Sequence, residues 1–130
     1  MAKRKNTTLR NEQANHLGSQ FNGGKLRIYT GAQPASPNDA ASGTMLVEIS
    51  IPSPAFGTAS NGSVSKIGTW SGTAVATGVA GWARMLSSDL TKNYDFTVAT
   101  SGGDLTIDDA NITTGGIVNV TSLTLTIGGT

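Results

Sequence analysis

The hydrophobic pattern of this 130-residue chain changes period once, at Asn22-Gly23-Gly24, and that change limits the fold more than any other feature. Before it, Leu9, Leu17 and Phe21 recur near one helical face, so a helix is expected over 9–21, with Thr7 or Thr8 as its cap. Gly18 and two asparagines weaken that helix, and the Asn-Gly-Gly run stops it. After it, apolar and polar residues alternate in short runs closed by Gly, Pro or Asn. Leu26 and Ile28 alternate with Arg27 and Tyr29. Met45, Val47, Ile49 and Ile51 alternate with Leu46, Glu48 and Ser50 until Pro52 and Pro54, which cannot donate to a ladder, end the run. Asn61-Gly62 signals a hairpin before a strand over 64–70. Ser71-Gly72 turns into 73–77, and Gly78 to Gly81 breaks the chain again. Trp82, Arg84 and Leu86 follow at period two, then Tyr94, Phe96 and Val98, then Leu105 and Ile107. In the last run Leu123, Leu125 and Ile127 face inward while Ser122, Thr124 and Thr126 face outward.

This pattern predicts an all-β fold of about eight short strands, read as an antiparallel sandwich or jelly roll. A basic N-terminal arm and one short helix occupy 1–23, and the sandwich domain occupies 24–130. Strands do not alternate with helices, so a parallel sheet is not expected. The composition agrees. Gly, Thr and Ser contribute 17, 18 and 13 residues, which suits turns and half-buried strands rather than a helical bundle. Charged residues make up 13%, about half the usual fraction. A surface built from Ser, Thr, Ala, Asn and Gly desolvates cheaply, and such surfaces suit symmetric assemblies and proteins that dock on a lattice.

Several function classes lose their chemistry at once. There is no Cys, which removes disulfides, cysteine-based zinc sites and a cysteine nucleophile. His16 is the one histidine, so a site with two histidine ligands cannot form within one chain. A Ser-His-Asp triad would need His16, which lies on the polar helix. No G-x-x-x-x-G-K-[ST] loop occurs, and the glycine groups read as turns. Asp104 and Asp108 could share a calcium ion across a turn, but the EF-hand pattern is missing, and Asp89, Asp95 and Asp109 read as turn and strand-end carboxylates. No cofactor and no enzymatic activity are expected. No apolar run reaches the ~18–20 residues of a membrane span, and no apolar segment follows the basic MAKRKN start, so neither membrane insertion nor a secretory leader is expected. The four Asn-x-Ser/Thr triplets follow from the Ser/Thr content.

Charge is placed unevenly. Lys3, Arg4, Lys5 and Arg10 hold four of the nine basic residues, while residues 11–130 carry five basic and eight acidic side chains, a balance of −3. The four are candidate partner-binding residues of an arm that suits an acidic surface. No aromatic is interleaved with them, which disfavours nucleic acid as the partner. Trp70 and Trp82 are expected as core or interface anchors. Arg84 falls among inward-facing positions, so it needs a carboxylate partner. Trp82 and Arg84 are therefore candidates for an oligomer interface.

Certain stretches add a family resemblance. LRIYTGAQP (Leu26 to Pro34), PSPAFG (Pro52 to Gly57), ATGVAGWARM (Ala76 to Met85), VTSLTLTIGG (Val120 to Gly129) and the LRN of Leu9 to Asn11 resemble small virion proteins of tailed bacteriophages. The resemblance runs from residue 9 to 129 and consists of turn-and-strand patterns, so it transfers no catalytic residue. It implies a virion location, with assembly in the host cytoplasm. Within that group, a β-sandwich with an N-terminal arm resembles capsid cement or decoration proteins, which sit on the shell as dimers or trimers. The partners so implied are the major capsid protein and further copies of the chain. A neck, head–tail or tail component arranged as a ring is the alternative. A carbohydrate-binding module is a second, and it would place aromatics on an exposed face.

Overall fold

The computed structural model describes residues 3–128. It contains helix α1 (Thr7–Ser19) and the strands β1 (Lys25–Thr30), β2 (Met45–Ser50), β3 (Ser63–Ser65), β4 (Ser71–Thr73), β5 (Gly78–Leu86), β6 (Asn93–Ala99), β7 (Leu105–Ile107), β8 (Asn111–Ile112) and β9 (Ile117–Thr126). The fold is mostly β with one short helix. Its strands form one connected path, β2-β1-β5-β6-β7-β9-β3, with β4 added on β9 and β8 on β5. Every pairing is antiparallel except β6 with β7, which run parallel in the register Val98↔Leu105 and Ala99↔Thr106. The sheet is therefore mixed, which corrects the expectation of a purely antiparallel one. The chain leaves β6, turns through Ser101 to Gly103 and re-enters beside β6 in the same direction, and the Asp104 carboxylate beyond the turn accepts the Thr97 N–H at 3.2 Å.

The sheet curls until β4 meets β2. Val75 donates its N–H to the Leu46 carbonyl at 2.8 Å, and a Cβ at Gly72 would lie 2.9 Å from the Glu48 carbonyl oxygen. Glycine is what allows this approach. Inside the curl, Leu26, Ile28, Val47, Ile49, Trp70 and Leu123 are almost fully buried and belong to one core. Trp70 fills it edge-on to Phe56, with centroids 5.5 Å apart, and donates its indole N–H to the Ile67 carbonyl at 3.0 Å. The inward Leu123 and Leu125 and the outward Ser122, Thr124 and Thr126 of β9 follow the expected alternation. Asn61-Gly62 forms the expected tight turn: both have positive φ (51° and 77°), and Ser60 and Ser63 exchange backbone bonds of 2.9 Å.

Other boundaries move. β3 is three residues rather than the longer strand expected up to Trp70, β4 covers Ser71–Thr73 where a turn was expected, and β5 starts at Gly78 inside the expected break. Gly78 pairs with Ile112, and Gly81 is the residue skipped where β5 shifts register against β1. A Cβ at Gly81 would fall on the Gly31 carbonyl oxygen. Helix α1 is capped by Asn6 rather than by Thr7 or Thr8, its Oδ1 accepting the Leu9 N–H at 2.9 Å.

Candidate functional site

Helix α1 is the base of the arm, and its packing follows the apolar spacing only in part: Phe21 is buried and Leu17 packs partly against the core. Its buried residues are Arg10, Ala14 and Gly18, one helical stripe, while Leu9 is 45% exposed. Small residues win because the neighbour comes close: a Cβ at Gly18 would stand 3.2 Å from the Phe56 ring. The polar residues that weaken the helix by propensity fasten it instead. Asn11 Oδ1 accepts the Gly62 N–H at 2.8 Å, Asn15 Oδ1 accepts the Ala59 N–H at 2.9 Å, and Asn22 Oδ1 accepts the Ala55 N–H at 2.8 Å. Three charge-free side chains thereby satisfy backbone donors of the 55–62 segment.

Arg10 belongs to this fastening and not to a free arm, which corrects its expected role. It is 8% exposed, and its Nη1 donates to the Asn61 carbonyl at 3.0 Å, while Nε has no partner among the described residues. Its guanidinium and Cβ lie against Gly62, and the positive φ of that residue makes any side chain there doubly costly. Lys3 and Arg4 are exposed and Lys5 is half-buried, in a segment without secondary structure ahead of Asn6. The arm thus offers three cations. Beside it the outward face of α1 forms a shallow hollow lined by Leu9, Glu12, Gln13, His16, Leu17 and Gln20.

Trp82 and Arg84 lie on the opposite face of the sheet from the main core, and the 31–44 loop covers them. Trp82 is fully buried, stacks on Tyr29 with centroids 4.7 Å apart and 14° between planes, and donates its indole N–H to the Ser42 carbonyl at 3.2 Å. Arg84 is 9% exposed. It binds Asp95 through two bonds, Nε to Oδ1 at 2.8 Å and Nη2 to Oδ2 at 3.0 Å, and gives a third to the Asp39 carbonyl at 2.9 Å. The carboxylate that Arg84 required is therefore its own cross-strand neighbour, in the register Arg84↔Asp95. The guanidinium carbon also stands 5.3 Å from the Trp82 ring centroid. These contacts leave neither side chain a surface for a second subunit, which corrects their expected place in an oligomer interface.

The register lines up four charges across four strands: Glu48↔Arg27, Arg27↔Arg84 and Arg84↔Asp95. Two arginines face each other in the middle, and each is answered by a carboxylate on its outer side. Arg27 Nε meets Glu48 Oε2 at 2.7 Å. Each arginine is held further above its already high pKa chiefly by the hydrogen bond to its carboxylate, against the opposing effect of burial. The row neutralises itself, with its Arg84–Asp95 half under the 31–44 loop and Arg27 and Glu48 about a third exposed. Asp95 and the covering role of 31–44 were not found from the sequence. The available signals were the alternation that puts residues 84 and 95 on facing strands, and a loop too long for a plain connection.

The remaining carboxylates serve turns. Asp104 accepts the Thr97 N–H and hydroxyl at 3.2 and 3.0 Å, whereas Asp108 accepts the Asn119 N–H and amide at 3.2 and 2.9 Å. They sit at opposite ends of β7 and are not brought together. For Asp108, burial pushes the pKa up, yet the bonds from Asn119 outweigh it and hold the group low. Asp89 is held at about 2 by the Ser87 hydroxyl, the Thr91 hydroxyl and the Thr91 N–H. Six of the seven aromatics, all except Tyr94, are buried. No helix of the described residues is long and apolar enough to cross a membrane. No family model, curated protein or solved structure matches the chain.

Proposed function

We propose that this chain is a non-enzymatic structural protein of a tailed-phage virion, a cement or decoration protein that binds and stabilises the capsid shell. The observation that carries this reading is the arm on its fixed base. Lys3, Arg4 and Lys5 lead directly into a helix fastened to the domain by Arg10, Asn11 and Asn15. A short basic segment on a rigid mount meets an acidic partner surface with little ordering cost beyond its own residues. The exposed Leu9 and the hollow beside it add apolar area on the same side. The major capsid protein is the partner, and many such weak contacts on one lattice sum through effective concentration. The burial of six aromatics supports a wall-like role over a sugar-binding platform.

The test is co-sedimentation with empty capsid shells. The full chain is expected to pellet with shells at a fixed ratio to the capsid subunit. A chain lacking residues 1–5, which keeps Asn6 and Arg10 and hence the base, is expected to stay folded and to lose most of that binding. Equal saturation of shells by the shortened chain refutes the arm, and failure of the full chain to pellet refutes the shell.

A further inference from the structure

The shell reading calls for copies that meet one another, and the covered Trp82 face leaves that surface to be found. Seven large apolar side chains are exposed among the described residues, and the three most exposed share one place in the fold. Val75, Val79 and Ile117 are each 60–61% exposed, whereas Leu9, Ile67, Leu90 and Tyr94 are scattered. The three stand on a ribbon made by 73–79 running against 111–117, paired as strands at its two ends and bent between them at 75–76 and 114–115. Its register is Thr73↔Ile117, Gly78↔Ile112 and Val79↔Asn111, and between these Ala74 exchanges backbone bonds with Gly115 and Gly116 while the Thr77 and Thr114 hydroxyls meet at 3.1 Å. Ala74, Ile112 and Val118 turn into the core, so their neighbours Val75, Asn111 and Ile117 turn outward.

The ribbon carries no charge. From 73 to 79 and from 110 to 118 every residue is Ala, Val, Ile, Gly, Thr or Asn, on a domain whose balance is negative. A charged partner finds no complement here. A second copy does, because a neutral surface complements itself, and two like-charged domains meet with least repulsion where neither shows charge. A two-fold contact needs one patch that matches itself. We propose that the Val75–Val79–Ile117 ribbon is the surface through which copies of this chain associate with one another. This rests on the shell-protein reading for its purpose, but not for its geometry. The ribbon is about 20 Å long and two strands wide, less than the roughly 800 Å² per partner of a standard stable interface. Association in free solution is therefore weak and concentration-dependent, and a shell that holds copies side by side raises it.

The experiment is sedimentation equilibrium of the free protein, without shells, from micromolar to millimolar concentration. The native chain is expected to self-associate reversibly. Val79→Asp is expected to weaken that association by about tenfold or more, since it buries a charge in an apolar contact. Ile117→Lys should do the same from the other strand. Mixing the two variants should restore association, an effect that misfolding cannot produce. A native chain that stays monomeric at millimolar concentration, or variants that associate like the native chain, would overturn the inference. Shell co-sedimentation of Val79→Asp separates it from the parent reading: the variant still binds shells through its arm if that reading holds, and the native chain fails to bind them if it does not.

Discussion

Two faces of the domain carry apolar side chains away from the main core, and they have opposite fates. On one, Trp82 and Tyr29 stack and Arg84 is clamped by Asp95, all beneath the 31–44 loop, whose carbonyls at Asp39 and Ser42 receive their donors. On the other, Val75, Val79 and Ile117 stand uncovered on a ribbon held together by glycine and threonine. The difference shows what a covering loop does. Beneath it a tryptophan and an arginine become parts of the fold. Without one, small β-branched residues stay available to a partner, and their exposure costs the domain little.

The comparison is broken most strongly at Arg84. Arg84→Ala leaves Asp95 buried without its cation and is expected to lower stability by about 3–5 kcal/mol in urea unfolding. Replacing both partners together, Arg84→Met with Asp95→Leu, should recover most of that loss, because the buried pair offsets its own desolvation only in part. A middle-sized effect belongs to the arm's mount. Asn11→Ala removes the acceptor of the Gly62 N–H and should cost about 1 kcal/mol, with faster amide exchange at Gly62. On the ribbon, Val79→Thr should change stability by less than about 0.5 kcal/mol while weakening self-association, read by chemical denaturation beside solution mass. A Val79→Thr loss as large as that of Arg84→Ala would mean that the ribbon, too, is part of the fold.

The smallest effect is a titration. Asp89 is fully exposed and its carboxylate is held at about 2, below the ordinary 3.8, first by the Ser87 hydroxyl and then by Thr91. A depressed carboxylate stabilises the folded turn above its unfolded pKa, and that contribution is lost as pH falls through its folded one. The 87–92 turn is therefore expected to loosen between about pH 4 and pH 2, seen as a change in the Thr91 amide.

Much of the β architecture was legible because side-chain alternation is a property of the strand itself. Leu123 and Leu125 read correctly for that reason and Asn61-Gly62 for its turn chemistry, whereas the strand over Met45 to Ser50 is present but Leu46, expected to face away from Val47, is buried in the same core where the register shifts. What was not legible depends on which strands become neighbours. The parallel step from β6 to β7 follows from a turn at 101–103 whose direction the alternation does not specify, and Asp104 closes it on Thr97. Arg10 looks like part of a basic run, yet the turn at 61–62 packs over it, a contact 51 residues away in sequence. Asn11 and Asn15 look like weak helix formers until the donors at Gly62 and Ala59 are known. Arg84 announces a missing carboxylate, but strand order alone says that it is Asp95. The ribbon was not legible because Val79 lies inside the expected break at 78–81, and the pairing of 73–79 with 111–117 closes only in three dimensions.

Hydrogen exchange on concentrated against diluted protein compares the loop-covered face with the proposed contact face at once. The predicted result is slower exchange on concentration over 73–79 and 110–118, with no change at 39–42, 82–84 and 95. Concentration-dependent protection around Trp82 and Arg84, with the ribbon unchanged, would contradict it.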